Sequence, residues 1–133
     1  MDSKYENIRL NYKIWLETKD EKGILGDGKW LLLKAISETG SLKLAMEKLN
    51  LSYRKTWNNL QQIEERLGFP ILDTQRGGAD GGKTCLTPEG EKIVKAFDHF
   101  HTEFDTFIQA AFQKFKTELE KEWGRKNFLS TFQ

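Results

Sequence analysis

The hydrophobic and polar positions of this chain change period several times, and each period predicts a different element. Residues 8–16 (IRLNYKIWL) alternate apolar with mostly polar side chains, which predicts a half-buried β-strand. The polar stretch 18–23 ends in glycine and precedes Ile24 and Leu25, so a short return strand and a hairpin are expected. Between Asp27 and about Glu38 the pattern changes to helical spacing, which predicts a helix capped by Asp27.

Two more helices are predicted around a tight turn. Gly40 fits the residue after a helix end, and Ser41 fits the N-cap of a short second helix. Asn50 tolerates the left-handed backbone of the turn, and Ser52 can cap a third helix that runs to about Leu67. The residues of the third helix that recur every three or four positions, and so face inward, are Trp57, Leu60, Ile63, Glu64 and Leu67.

A glycine-rich hairpin and a long helix follow. Segments 71–75 and 83–87 are typical of strands and flank the loop RGGADGG (76–82). Thr87 and Pro88 fit the cap and first position of a helix that is predicted to reach about Trp123. Along this helix an apolar stripe advances by four and three residues, the spacing of a coiled coil, which predicts a dimer interface. This phenylalanine stripe consists of Ile93, Phe97, Phe100, Phe104, Phe107 and Ala111.

These elements predict a mainly α fold with a small β component. The expected architecture is a winged helix-turn-helix with an N-terminal β-hairpin and a long C-terminal dimerisation helix. We expect residues 1–87 to form the DNA-binding domain, 88–123 the dimerisation helix and 124–133 a tail.

Composition narrows the setting without deciding the function. The 133 residues include 38% hydrophobic and 31% charged side chains, as in globular proteins, and the net charge is only +1. Any DNA-binding surface must therefore arise from local clustering of charge. Cys85 is the single cysteine, and no signal core or apolar run of membrane-spanning length is present, so we expect a cytoplasmic protein.

The outward face of the third helix carries side chains of the types that read DNA bases. Arginine pairs with guanine, and asparagine and glutamine pair with adenine, through two hydrogen bonds each. A solvated helix face has the same composition, and that alternative stays open. Tyr53 and Thr56 are expected to pack or to touch the DNA backbone only. With the turn and the predicted wing, the DNA-binding candidates are Ser41, Lys43, Ser52, Arg54, Lys55, Asn58, Gln61, Gln62, Arg76 and Lys83.

The possible catalytic and metal-binding motifs lack the structural context that their chemistry requires. Gly77, Gly82, Lys83 and Thr84 match the spacing of a phosphate-binding loop, but that mechanism needs a helix to start at the Lys-Thr pair. Here the helix is predicted to start only at Pro88. His99 and His101 would point in different directions from one helix and make a poor metal pair. We therefore expect no enzymatic activity, no cofactor and no metal.

Four motifs together resemble the N-terminal DNA-binding domain of ModE-type molybdate-responsive regulators, which is related to the LysR-type winged helix. They are Gly40-Ser41 in the turn, S-Y-R-x-x-W at residues 52–57, G-G-x-x-G-G at 77–82 and L-T-x-x-G at 86–90. The resemblance covers roughly residues 8–115. It implies a dimer that pairs through the long helix and binds an operator on double-stranded DNA through helix 52–67 and the wing.

Two departures qualify this resemblance. Asn50 stands where relatives commonly have glycine, and full-length relatives carry C-terminal molybdate-binding domains for which this chain has no room. We therefore expect no molybdate binding. Two alternatives remain: a winged helix that binds protein partners without specific DNA binding, and a nucleotide hydrolase.

Overall fold

The computed structural model of the protein describes residues 4–75 and 83–121. Its elements follow the predicted order, two small antiparallel hairpins among four helices. In chain order they are β1 (Trp15–Glu17), β2 (Gly23–Gly26), α1 (Asp27–Thr39), α2 (Leu42–Leu49), α3 (Tyr53–Leu67), β3 (Leu72–Gln75), β4 (Lys83–Leu86) and α4 (Pro88–Glu120). The fold is therefore mainly helical with small hairpins and a long C-terminal helix, as predicted.

Contacts divide the chain into two compact units. One consists of Lys13–His99, and the other of the described parts of Met1–Tyr12 and Phe100–Gln133. The division falls inside α4, later in the chain than the functional boundary predicted after residue 87.

The unit Lys13–His99 holds the hydrophobic core. Helices α1, α2 and α3 each bury one face, and β2, β4, the residue before β3 and the start of α4 complete the core. Each fully buried leucine or isoleucine contributes about 1.5–3 kcal/mol relative to exposure. The core residues are Leu25, Leu32, Leu33, Ala35, Ile36, Leu42, Ala45, Met46, Leu60, Ile63, Ile71, Leu86, Val94 and Phe97.

The predicted strand over residues 8–16 is wrong for most of its length. Only Trp15–Glu17 pairs with β2, and all three of these residues are exposed. In the other unit, Tyr12 packs its ring 6.2 Å from that of Phe104 and donates a hydrogen bond to Asp105 on α4. The alternation of side chains is therefore satisfied there by packing against a helix and does not require a strand partner.

The predicted cap of α1 is also corrected. Gly26 occupies the N-cap position without a side-chain hydrogen bond, and Asp27 is already the first helical residue. Its carboxylate lies in the first turn, where a negative charge interacts favourably with the helix dipole.

Candidate nucleic-acid interface

Left-handed residues and side-chain caps set the angles between α1, α2 and α3. Gly40 and Asn50 end α1 and α2 with φ of 72° and 53°. Ser41 then caps α2 by accepting a hydrogen bond from the backbone N–H of Leu44, and Ser52 caps α3 in the same way. These features confirm the predicted helix-turn-helix boundaries.

The inner face of α3 fixes the helix to the core. Leu60 and Ile63 are fully buried, and Thr56 is 3% exposed with its hydroxyl bonded to the carbonyl of Ser52. The interpretation of Thr56 as a packing residue is confirmed. Because this face is buried, the opposite side of α3 must lie in solvent.

Two hydrogen bonds explain why the carboxylate of Glu64 lies among the apolar residues of the inward-facing stripe. It accepts hydrogen bonds from the backbone N–H groups of Ile71 and Leu72, at 2.7 and 3.2 Å. These groups stand at the start of the β3–β4 hairpin. Glu64 therefore joins the recognition-type helix directly to the hairpin.

The outer face of α3 is polar along its whole length. Its side chains share a position opposite the core, and none makes a side-chain hydrogen bond or ion pair within the described part of the chain. They are Arg54, Lys55, Asn58, Gln61 and Gln62, all exposed. The two acidic residues of the helix, Glu64 and Glu65, come later. The N-terminal half of α3 thus presents donors and positive charge.

The β3–β4 hairpin brings Lys83 close to the turn between α1 and α2. A Cβ built on Gly40 would lie 3.9 Å from the Lys83 ammonium nitrogen. Lys83 is exposed, as is Lys43 on α2. Arg76 and the glycine-rich tip, residues 76–82, lie outside the described residues. The structure therefore groups Lys83 with the start of α2.

Two predicted roles are revised by the structure. Ser41 is buried and its hydroxyl caps α2, so its side chain leaves the set of DNA-binding candidates. Tyr53, expected to pack or to touch the DNA backbone only, is 66% exposed and not packed into the core. The exposure of Tyr53 is the feature that sequence reasoning missed. Its position as the first helical residue was the available signal, because no preceding turn covers a side chain there.

Two cationic side chains, Arg66 near the end of α3 and Lys29 close to it, interact with other groups of the protein or are partly buried. The Arg66 guanidinium donates a hydrogen bond to the carbonyl of Gly23. Burial, with a smaller contribution from the nearby Arg66 charge, lowers the pKa of Lys29 below its usual value. Within α1–α3 and the described part of the β3–β4 hairpin, the exposed cations without an ion pair among the described residues are therefore Lys43, Arg54, Lys55 and Lys83.

The phenylalanine stripe of α4 divides between the two units. Phe97 is 4% exposed and its ring lies 5.7 Å from that of Trp30, while Ile93 packs against the same core. Phe97 therefore leaves the predicted dimer interface. In the other unit, Phe100 and Phe104 stack at 5.9 Å and are partly exposed, and Phe107 is 69% exposed. Ala111 is also exposed and lines a groove with Ile8 and Leu10.

The described residues offer little for other chemistry. Lys83 and Thr84 lie in a strand and not at a helix start, so the helix-borne amides of a phosphate-binding loop are missing there. Across residues 4–75 and 83–121, no group of three histidine, cysteine, aspartate or glutamate side chains is placed to hold a metal ion. The helices in these ranges include none long and apolar enough to cross a membrane. Cys85 is half-buried within β4.

The sequence of the helix-turn-helix region matches a known protein family. Residues 29–91 match the family described as "Bacterial regulatory helix-turn-helix protein, lysR family". This range runs from α1 to the start of α4. The family consists of transcriptional regulators, which agrees with the expectation that this chain is not an enzyme.

Relatives extend the similarity to ModE proteins. The chain is 37% identical over 73 residues to the molybdenum-pterin-binding protein MopB of Rhodobacter capsulatus, covering 55% of this chain and 27% of MopB. It is 32% identical over 89 residues to the transcriptional regulator ModE of Haemophilus influenzae, covering 66% of this chain and 35% of that protein.

A third relative is the DNA-binding transcriptional dual regulator ModE of Escherichia coli K12. The identity there is 24% over 90 residues, 67% of this chain and 34% of that protein. The matches thus span about a third of the length of each of these relatives. Residues 29–91 therefore resemble the helix-turn-helix proteins of the bacterial lysR regulatory family, and the chain is similar to the N-terminal region of ModE-type transcriptional regulators.

Proposed function

We propose that this protein is a sequence-specific transcriptional regulator that binds double-stranded DNA as a homodimer. The observation that carries the proposal is the exposed polar face of α3, held outward by a buried opposite face within a regulatory helix-turn-helix domain. In such domains the second helix of the motif enters the major groove, and its N-terminal half meets base edges.

The roles of the side chains follow from their chemistry. Arg54 is proposed to pair with guanine, and Asn58 and Gln61 with adenine. Lys43, Lys55 and Lys83 are proposed to neutralise phosphates, which sets the register of the protein on the duplex. The β3–β4 hairpin then acts as a wing against the backbone or the minor groove, and Arg76, which follows β3 in the sequence, is proposed as a further DNA contact.

Dimerisation is proposed to use the exposed part of the phenylalanine stripe. Phe100, Phe104, Phe107 and Ala111 advance by four, three and four residues, as in a helix pair. Burying these exposed phenylalanines is favourable, and a second copy of the chain offers a matching apolar surface. Two α3 helices would then meet half-sites about 34–36 Å apart, one turn of the duplex.

Support also comes from the relatives, two of which carry names that describe transcriptional regulators. The near-neutral net charge of +1 is the observation that favours the alternative, a domain that binds a protein partner. The two functions differ in their dependence on salt. Each phosphate contact lowers the logarithm of the affinity by about 0.9 for every tenfold increase in salt concentration. Most contacts to a protein partner lack this steep dependence on salt.

The test is binding to duplex DNA selected from a random pool, followed by fluorescence anisotropy over a range of salt. We expect selection to yield a two-fold symmetric site and a steep loss of affinity with salt. Arg54→Ala should weaken binding to that site by about 1–3 kcal/mol at fixed salt. Lys95→Ala is the control, because it removes an exposed charge from α4 outside the proposed face. Absence of duplex binding at low salt would reject the proposal in favour of a protein partner.

A further inference from the structure

Tyr53 is a large, exposed aromatic residue next in the sequence to the polar residues Arg54 and Lys55 of α3. It is the first residue of α3 and is 66% exposed. Its hydroxyl has no hydrogen-bond partner among residues 4–75 and 83–121. An aromatic ring in that environment contributes little to folding, since it buries little area. Its exposure therefore needs an explanation other than stability.

The ring of Tyr53 is held in place by Trp57. The two ring centroids lie 6.0 Å apart at an interplanar angle of 65°, an edge-to-face arrangement that aromatic pairs favour. Trp57 is half-buried and packs against the hydrophobic core. The contact with the half-buried Trp57 therefore restricts the orientation of the Tyr53 ring, so that less side-chain freedom is lost when a ligand covers the exposed side of the ring.

The position of Tyr53 places it beside the proposed base-reading residues. Tyr53, Trp57 and Gln61 are spaced by four and form one line along α3. Arg54 and Asn58 form the adjacent line. Tyr53 therefore stands in the first turn of α3, at the edge of the polar face, and the N-terminal residues of such a helix are the ones that contact base edges.

We propose that Tyr53 determines part of the sequence specificity by packing its ring against the C5-methyl group of a thymine. The proposal rests on the proposed function and adds a residue and a base to it. Thymine is the base that presents an apolar group in the major groove, and side chains with apolar surface recognise that group. A contact to phosphate would use only the hydroxyl and would leave the exposed ring carbons without a role.

The experiment uses the full chain and the duplex selected by it. Each thymine of the two half-sites is replaced in turn by deoxyuridine, which lacks only the C5-methyl group. At one symmetric pair of positions, we expect the substitution to lower the affinity of the wild type at least about fourfold, the effect of uncovering one methyl group. At the same pair, Tyr53→Phe should keep this discrimination and Tyr53→Ala should lose it. A scrambled duplex measures non-specific binding, and circular dichroism verifies that both variants fold.

Several results would overturn the proposal. One is a set of deoxyuridine duplexes that all bind like the thymine duplex, and another is a selected site without thymine. A third is discrimination that survives Tyr53→Ala. A fourth is that Tyr53→Ala lowers the affinity for the selected and the scrambled duplex equally, which identifies a contact to the DNA backbone. If the wild type binds no duplex at all, the proposed function fails as well, and the two failures are thereby distinguished.

Discussion

Phe97 and Phe107 belong to the same apolar stripe of one helix, but their environments are opposite. Phe97 is 4% exposed and packs on Trp30 in the core of the unit Lys13–His99. Phe107, in the other unit, is 69% exposed. A continuous pattern in the sequence thus serves two purposes. The first part completes a core within the chain, and the second part is available to a partner.

Replacing Phe97 with alanine should have the largest effect on stability. The substitution leaves a cavity in the core, and we expect the free energy of unfolding to fall by about 3–5 kcal/mol in urea denaturation. Phe107→Ala in the same assay is the matched control. A loss below about 1 kcal/mol for Phe97→Ala would show that the start of α4 is not part of the folded core, and the comparison would fail.

The next largest effect on stability should come from Gly90, where the start of α4 lies close to the backbone of Ile71, the residue before β3. A Cβ on Gly90 would lie 2.6 Å from the carbonyl oxygen of Ile71, which is itself held by the N–H of Thr87. Gly90→Ala should therefore lower the free energy of unfolding by about 1–3 kcal/mol, because backbone must shift.

Gly28→Ala is the control for Gly90→Ala. Gly28 is also helical, but no atom lies within 4 Å of its added Cβ. Alanine there should be neutral or stabilise by about 0.4–1 kcal/mol through the unfolded state. Equal effects at the two glycines would contradict the steric explanation.

The link between α3 and the hairpin should have a smaller effect. Glu64→Gln removes the charge from an acceptor of two backbone hydrogen bonds, and we expect a loss of about 1 kcal/mol in unfolding free energy. Glu65→Gln, one position later and exposed, should change stability by less than about 0.5 kcal/mol. Unchanged stability of Glu64→Gln would mean that the negative charge of Glu64 does not strengthen the link, since the glutamine oxygen can still accept both hydrogen bonds.

Phe107→Ala should have the smallest effect on the isolated chain and a clear effect on association. At low protein concentration its free energy of unfolding should stay within about 0.5 kcal/mol of the wild type. By sedimentation, the dissociation constant of the proposed dimer should rise about tenfold or more, since an exposed phenylalanine would lose its cover. Lys114→Ala serves as control for a change on the same helix. An unchanged dissociation constant would remove Phe107 from the interface.

Local signals in the sequence predicted the helix boundaries well. Ser41, Ser52, Gly40 and Asn50 were assigned because a cap or a left-handed turn depends on one residue and its immediate neighbours. The exposed face of α3 followed from periodicity for the same reason. Asp27 shows the limit of such signals, since it and Gly26 both suit a helix start and only the backbone decides between them.

Features that depend on distant contacts were not predictable from the pattern. The alternation over residues 8–14 indicated a strand, but Tyr12 packs on α4 instead. Phe97 and Phe107 cannot be told apart by spacing, since the difference is whether a core lies beside them. Tyr53 was placed near the apolar side by its position on the helix, but the structure leaves its ring exposed at the helix end.

Glu64 has a consequence for the thermodynamics of binding. Because its carboxylate joins α3 to the start of β3 before any DNA is present, the helix and the base of the hairpin form a preorganised pair. Contacts made by α3 and by Lys83 would then share a single loss of orientational entropy on binding. Without the hydrogen bonds of Glu64, each group of contacts would lose orientational entropy separately on binding. The total affinity should then be lower, even where every individual contact remains intact.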